Sequence, residues 1–544
     1  MEEIDDSSAP VHVLPVELLS RIFLFLPRFT KTSPLDPALT LSLVCRRWRS
    51  VALQCKRLWN NIPTRNGLEL TKLAIERSSP VPIIIEVYRE DVTPSRMGAV
   101  KMALQQMERV QELVLCLGKV LETEMYDVLQ ALQTPAPLLE RFTISMFTRN
   151  SPLTFSFPDQ MFSDITPPRL RHLDVSRRII DTTHFPSGPL TDLHSLVLRA
   201  CHILPTVTIL QAPLSSLWLE DCRVWENLGQ LLTTLSNLSH LAELVLINVQ
   251  RLQGFPQVLH PLVDGGVQSV ELAHLTRFAL EDSPFHISLI FPALRLPLSA
   301  DIHIRRVGQS SNEEQHLGQL SVALDAHFSR PSTDDIRFQR LVLHSSTVQL
   351  PNIVPANPIF CPRGAEVSFT ATAIPYGEDT SLSLGTFQCA FGSGFSNGGI
   401  LNRNPSGEWL RMLFRLTFVR RVPELYIDSV PMYNKVDSWL AARASFNSIR
   451  KVCAAGIAVQ GLVGALETMA RRPMNLEEVC IVCADFGQDD NALLGTLQTA
   501  MYALEKEKRA PKVLKLNRCA TGPGTLGVLR RTLDESIKLE VQDW

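Results

Sequence analysis

The chain has 544 residues, 45% hydrophobic and 20% charged, with 53 basic against 55 acidic side chains and a net charge of −2. That length exceeds one ordinary compact core and asks for several domains or a repeat architecture, while the balanced charge argues against a general polyanion binder such as a nucleic-acid protein. The eleven cysteines follow no disulfide-framework spacing, the first residues "MEEIDD" are acidic where a secretory signal is basic, and no apolar run is long enough to span a bilayer, so the expected setting is intracellular, cytoplasmic or nuclear.

The first element is "VLPVELLSRIFLFLPRF", Val13 to Phe29. Pro15 suits a helix start, where its missing N–H costs nothing, Glu17 falls in the first turn, where the helix dipole favours an acid, and Pro27 ends the segment. Leu18, Leu19, Ile22, Phe23 and Leu26 share one face, and Phe25 widens it. A polar break, "TKTSPLDP", leads to "ALTLSLVCRRWRSVALQCKRLWNNI", read as a second amphipathic helix with Leu41, Val44, Trp48, Val51 and Cys55 on one side and Arg46, Arg47 and Arg49 on the other. So small a unit buries a limited core, and each large apolar side chain left in water forgoes about 1.5–3 kcal/mol of burial. A partner protein would cover the excess; the alternative is a cap whose apolar face lies against its own chain.

Leu14-Pro15-x-Glu17-Leu18-Leu19-x-x-Ile22-Phe23-x-x-Leu26, followed by Leu43-Val44-Cys45-Arg46-Arg47-Trp48 and Leu58-Trp59, resembles the F-box over about residues 12–62. The resemblance implies a small helical module that docks on the Skp adaptor of an SCF-type ubiquitin ligase and, through it, on the cullin scaffold. It implies Leu14, Pro15, Leu18, Ile22, Val44, Cys45, Trp48, Leu58 and Trp59 as the docking positions. The loop from Arg28 to Pro37, rich in Pro and Thr, departs from the family's pattern.

A helix around Leu68 to Glu76 and a buried strand in "RSSPVPIIIEVY" come next; this stretch resembles the one that follows the F-box in many basidiomycete fungal F-box proteins. Then a short string with apolar residues in its first, fourth and sixth places recurs: "VQELVL" at Val110, "LERFTI" at Leu139, "LRHLDV" at Leu170, "LHSLVL" at Leu193, "LSSLWL" at Leu214, "LAELVL" at Leu241 and "VQSVEL" at Val267. The starts are about 21 to 31 residues apart, the leucine-rich-repeat range. Two copies extend to L-x-x-L-x-L-x-x-C-x-(I/V), with Cys201 and Cys222 tucked in the turn as structural thiols.

Regularity then fades. "HLTRFALEDSPF", "ISLIFPAL" (Ile287 to Leu294), "LVLHSS" at Leu341 and "VSFTATA" at Val367 read as strands between long insertions, and Gly385 to Trp409 as a loop or irregular hairpin. Strings resume with "VPELYI" at Val422, "IRKVCA" at Ile449, "LEEVCI" at Leu476 and "PKVLKLNRCAT" at Pro511, where Cys519 again takes the cysteine place, with amphipathic helices between. The expected fold is α/β: an F-box at about residues 10–62, a linking helix and strand at about 63–108, and a leucine-rich-repeat-like solenoid over about 109–544 with insertions at about 281–420. Parallel strands would line its concave face and helices or loops its outside.

Rival chemistries find little support. Cys480 and Cys483 form one Cys-x-x-Cys without the second pair or His-x-x-x-His a zinc site needs, so packing is the preferred reading and no metal or cofactor is expected. "GFSNG", Gly394 to Gly398, has nucleophile-elbow spacing around Ser396 but lies in a Gly/Asn/Ser-rich stretch. "GPGTLG", Gly522 to Gly527, fits a dinucleotide fingerprint, but the chain leaves little room for the second parallel strand; a turn closing the last repeat is preferred.

Alternation places the fifth residue of each string away from the repeat core, in a column of Asp174, Val197, Trp218, Val245 and Glu271. A patch of Val197, Trp218 and Val245 flanked by Arg199 and Glu220 has the composition of a recognition hot spot, unless an insertion or the tail "KLEVQDW" covers it. The functional expectation is a non-enzymatic adaptor, a substrate-recognition subunit that docks the Skp adaptor at one end and holds a protein substrate on its repeats. The alternative is a leucine-rich-repeat scaffold without ubiquitin transfer.

Overall fold

The computed structural model describes residues 14–25, 37–88, 93–117, 128–146, 167–176, 179–180, 190–203, 208–249, 269–306, 312–328, 338–346, 366–373, 386–392, 415–428, 431–445, 448–470, 476–486, 492–520, 524–533 and 536–542. The chain divides into two compact units: Met1–Leu241 with Val249–Gln257, and Ala242–Asn248 with Val258–Trp544.

The first unit opens with helices α1 (Val16–Leu24), α2 (Pro37–Ser42) and α3 (Arg46–Gln54). The second helix read from the sequence is thus two. Cys45 adopts an extended backbone and its sulfur accepts the Trp48 amide at 3.5 Å, capping α3 and leaving Leu43 and Val44 in the break. A short turn, Lys56–Trp59, feeds β1 (Asn61–Ile62), then come α4 (Leu68–Ser78), β2 (Ile83–Val87), α5 (Pro94–Leu104), β3 (Val110–Leu117), β4 (Arg141–Met146), β5 (His172–Ser176), β6 (Ile179–Ile180), β7 (Ser195–Arg199), β8 (His202–Ile203) and β9 (Ser216–Glu220).

Strands β1, β2, β3, β4, β5, β7 and β9 pair in that order, every pair parallel. The recurring string is the cause: the fourth and sixth places of neighbouring copies fall in register, Leu173 beside Leu196 beside Leu217 and Val175 beside Leu198 beside Leu219, and all six are fully buried. Ala200 and Asp221 follow β7 and β9 with φ of 50° and 51°, and this left-handed step turns the next residue inward. There the Cys201 thiol donates to the carbonyls of Val175 and Arg199, and Cys222 to those of Leu198 and Glu220, so each thiol satisfies its own strand and the preceding one. Burial raises the Cys222 pKa, as befits a structural thiol.

The second unit contains β10 (Glu243–Ile247), β11 (Val270–Glu271), β12 (Arg277–Asp282), β13 (Leu294–Arg295), β14 (Asp301–Arg306), β15 (Phe338–Ser346), β16 (Glu366–Ala373), β17 (Thr386–Gly392), β18 (Glu424–Asp428), β19 (Lys451–Ala455), β20 (Glu478–Val482), β21 (Val513–Asn517) and β22 (Lys538–Gln542). Its sheet runs β10, β12, β14, β17, β16, β15, β18, β19, β20, β21, β22; β16 is antiparallel to both neighbours and the other pairings are parallel. Helices Ala458–Ala470 and Ala492–Lys506 follow β19 and β20. On the face bearing Glu424, ion pairs cross strand to strand: Lys451 to Glu424 at 3.1 Å, and Lys515 to Glu478 at 3.0 Å and to Glu540 at 3.6 Å, while Lys538 pairs with Glu540 at 2.7 Å within β22.

Two segments differ from the expected strands. "ISLIFPAL" is not a strand: Ser283 caps a helix, Pro284–Ile290, by accepting the His286 amide at 3.3 Å, and Pro284 takes the first helical position. "VQSVEL" is not the next rung, since β11 pairs with β13; Leu275, Phe278 and Leu280, all buried, place β12 beside β10 instead. Of the stretch Gly385 to Trp409, Thr386–Gly392 forms β17, antiparallel to β16, which the hairpin alternative accommodates; the rest lies outside the described residues.

The seam between the N-terminal helices and the first sheet is built on Trp59, 1% exposed. Its indole N–H donates to the Ala52 carbonyl at 2.8 Å, and the Arg77 guanidinium lies 4.6 Å from its ring. Beyond it the Ile84 amide donates to the Asn60 carbonyl, while Arg109 donates to Ser78 Oγ at 3.0 Å and the Val81 carbonyl at 2.9 Å. Trp59→Ala is expected to cost about 3–5 kcal/mol, through lost burial and a cavity, and Trp59→Phe about 1 kcal/mol for the hydrogen bond. Urea unfolding followed by the far-ultraviolet circular dichroism of the full chain measures both.

Candidate functional site

Helix α1 forms because Pro15 fixes the entry, its carbonyl accepting the Leu19 amide at 3.0 Å, and Glu17 supplies an acid in the first turn. Its apolar stripe is too wide for one interface and divides. Leu19 and Phe23 turn inward onto Leu41, Val51 and Ala52, all buried, with Trp48 and Leu58 packed against this cluster. The Phe23 and Trp48 ring centroids are 5.0 Å apart. Arg47 donates to the Leu14 carbonyl and Arg49 to that of Ser42 at 2.8 Å, tying α3 to the segments before it.

The outer half of the stripe faces water. Leu18 and Ile22 are each 46% exposed and Phe25 is 86%; Leu43 and Val44, thrust out by the break before α3, are 71% and 56%. One turn of helix separates Leu18 from Ile22, so their side chains adjoin. Pro15 is exposed as well, and Leu14, Cys45, Trp48 and Leu58 are half-buried.

Of the positions the resemblance implied for docking, Trp59 does not fit: it is sealed in the seam, and its place is structural. Leu43 was not among them. Only the cap formed by Cys45, a residue type seldom found there, turns Leu43 outward, and the apolar spacing alone gives no such sign.

The second candidate surface is the open face of the first sheet. Asp174, Val197 and Trp218 are register partners, as the column reading requires. Glu271 is not in that column, because Val245 pairs with Ala279 and Glu271 with Arg295. Arg199, Trp218 and Glu220 do come together: Arg199 grips both Asp174 oxygens at 2.7 and 2.9 Å, reaches Glu220 at 3.3 Å, and its guanidinium lies 5.9 Å from the Trp218 ring.

This arrangement removes the apolar hot spot. Val197 and Trp218 are buried, Trp218 at 8% exposure, and Val245 is fully buried; Arg199 is committed to two carboxylates. What this face offers is polar: His172 sits 2.9 Å from Ser195 Oγ, and burial, aided by Arg141, lowers its pKa and keeps the imidazole neutral. The tail "KLEVQ" is β22, paired to β21, and Asp543 and Trp544 lie outside the described residues.

The rival motifs place as follows. Cys480 is buried within β20, whereas Cys483 is exposed with φ of 54°. Among the described residues no group of three or more His, Cys, Asp or Glu is placed to hold a metal ion, and no helix is long and apolar enough to cross a membrane. "GFSNG" with Ser396 lies outside the described residues. In "GPGTLG", Gly524, with φ of 107°, precedes the helix Thr525–Thr532, and β22 is the second parallel strand for which the sequence reading found little room; its last described residue is Gln542, not an acid.

Comparison with known proteins bears on the helical end of the chain. The F-box-like family model matches residues 11–64, so the chain carries an F-box-like domain there. No curated protein matches the chain.

Because the stripe divides, its two halves respond differently to substitution. Ile22→Asp or Val44→Asp is expected to change stability by no more than about 0.5 kcal/mol, whereas Leu19→Ala is expected to cost about 2–5 kcal/mol. Thermal and urea unfolding of the three variants compares them directly.

Proposed function

We propose that the chain is the substrate-recognition subunit of an SCF-type ubiquitin ligase. Its F-box-like domain docks a Skp adaptor, which joins it to the cullin scaffold, and its parallel strands form leucine-rich-repeat-like solenoid surfaces that hold a protein substrate. F-box domains bind Skp adaptors. The observation that carries the reading is the outer half of the α1 stripe, Leu18 and Ile22 with Leu43 and Val44 in the break before α3, left in water by a domain whose own small core is already filled.

In this reading the docking positions are Leu14, Pro15, Leu18, Ile22, Leu43, Val44 and Cys45, with Trp48 and Leu58 supporting them from beneath. The chain supplies no reacting group. It raises the effective concentration of a substrate lysine near a charged ubiquitin carrier, and the rate gain is one of proximity. The parallel register and the inward-turned Cys201, Cys222 and Cys519 support the repeat reading. Substrate contact then falls to the polar row of the first sheet, around His172, Ser195 and Ser216, rather than to a Trp218 patch.

The test is co-purification of the full chain with a Skp adaptor. The wild-type chain is expected to capture it, Ile22→Asp and Val44→Asp to weaken capture by at least about tenfold, and Trp218→Phe to leave it unchanged. A folded chain that captures no adaptor overturns the reading and leaves an interaction scaffold without ubiquitin transfer.

A further inference from the structure

Cys453 and Cys480 occupy a position different from that of the turn thiols. Cys201, Cys222 and Cys519 each sit in a turn after a strand and donate to two backbone carbonyls. Cys453 and Cys480 instead lie mid-strand, in β19 and β20, and are register partners in a parallel pair. Their column across the sheet reads Tyr426, Cys453, Cys480, Lys515, Glu540. Side chains of parallel register partners project to the same face, and neighbouring strands lie about 4.7–4.9 Å apart, inside the Cα separation of roughly 4.4–6.8 Å that a disulfide needs.

Two polar side chains of β21 border Cys480. The Asn517 amide donates to its Sγ at 3.6 Å, and Lys515, an ammonium held by Glu478 and Glu540, is its neighbour on the next strand. On the other side Cys453 adjoins Tyr426, whose phenol burial and the nearby thiols push up to about 12, so that it stays neutral. Cys453 is half-buried and Cys480 is buried.

We propose that Cys453 and Cys480 are a peroxide-responsive dithiol that closes to a reversible disulfide between β19 and β20. The Cys480 thiolate attacks one oxygen of hydrogen peroxide; an S–O bond forms, the O–O bond breaks, and the leaving hydroxide recovers the proton Cys480 gave up, departing as water. The Cys453 sulfur then attacks the sulfenic sulfur, forming S–S and breaking S–O, and its proton leaves with the hydroxyl as a second water. Two thiols are oxidised by two electrons and one peroxide is reduced to two waters.

The reduced full chain, exposed to hydrogen peroxide, quenched with catalase, alkylated and digested, is read by mass spectrometry. The expected product is a peptide linked through Cys453 and Cys480, released by dithiothreitol, forming at least about tenfold faster in the folded chain than in urea. In Cys453→Ser, Cys480 is expected to accumulate as a sulfenic acid trapped by dimedone. Linkage through Cys483 or Cys519 instead, Cys480 advancing to sulfinic acid beside an alkylatable Cys453, both thiols remaining alkylatable, or equal rates folded and unfolded would each overturn the proposal. The wild-type measurement decides this without the variant.

Discussion

A nine-residue helix cannot bury an apolar stripe that extends around much of its circumference against a single thin layer, and α1 carries such a stripe. Leu19 and Phe23 use up the inner cluster formed with Leu41, Val51 and Ala52. Nothing in that cluster is left for Leu18 and Ile22, and the Cys45 cap adds Leu43 and Val44 to the unfilled surface. Each such side chain stands to gain about 1.5–3 kcal/mol on full burial, so a handful suffices to drive a specific association once the cost of immobilising two proteins is met.

The same helices are anchored to the sheet. Arg47 ties α3 to the chain ahead of α1, Trp59 closes the seam on Ala52 under Arg77, and Arg109 fixes the end of α4 to the start of the strands. The outward stripe therefore has a set direction relative to the first parallel strands, all within one compact unit. Further along, the pairing is maintained by inward leucines, by left-handed exits at Ala200, Asp221, Asn248, Cys483 and Arg518, and by cross-strand charges from Glu424 to Glu540. Partly exposed pairs of this kind add little stability singly; in a row they make one register electrostatically better than its neighbours.

Much of this was legible from residues alone, and the failures have physical causes. The α1 stripe and most strands declared themselves because helical and alternating periods differ and because L-x-x-L-x-L recurs. The break at Cys45 did not, since a thiol is a weak and uncommon cap. Trp59 fits a docking motif and a buried seam equally well until its partners Ala52 and Arg77 are placed. "ISLIF" is as apolar as a buried strand, and only Ser283-Pro284 ahead of it marks a helix. The slip from "VQSVEL" to β12 arose because both segments satisfy the pattern, and pairing with β10 is a tertiary choice. The Trp218 patch failed because alternation gives the side of a sheet a residue faces, not whether Arg199 will lie across it.

The function proposed for this chain requires that another protein completes the outer half of the α1 stripe. Hydrogen–deuterium exchange of the full chain with and without a purified Skp adaptor tests it residue by residue. Slowed exchange is expected in the amides of α1 and of residues 43–54, with β19 to β21 unaffected. An adaptor that binds while those amides exchange at their free rate, its protection lying elsewhere on the chain, would contradict it.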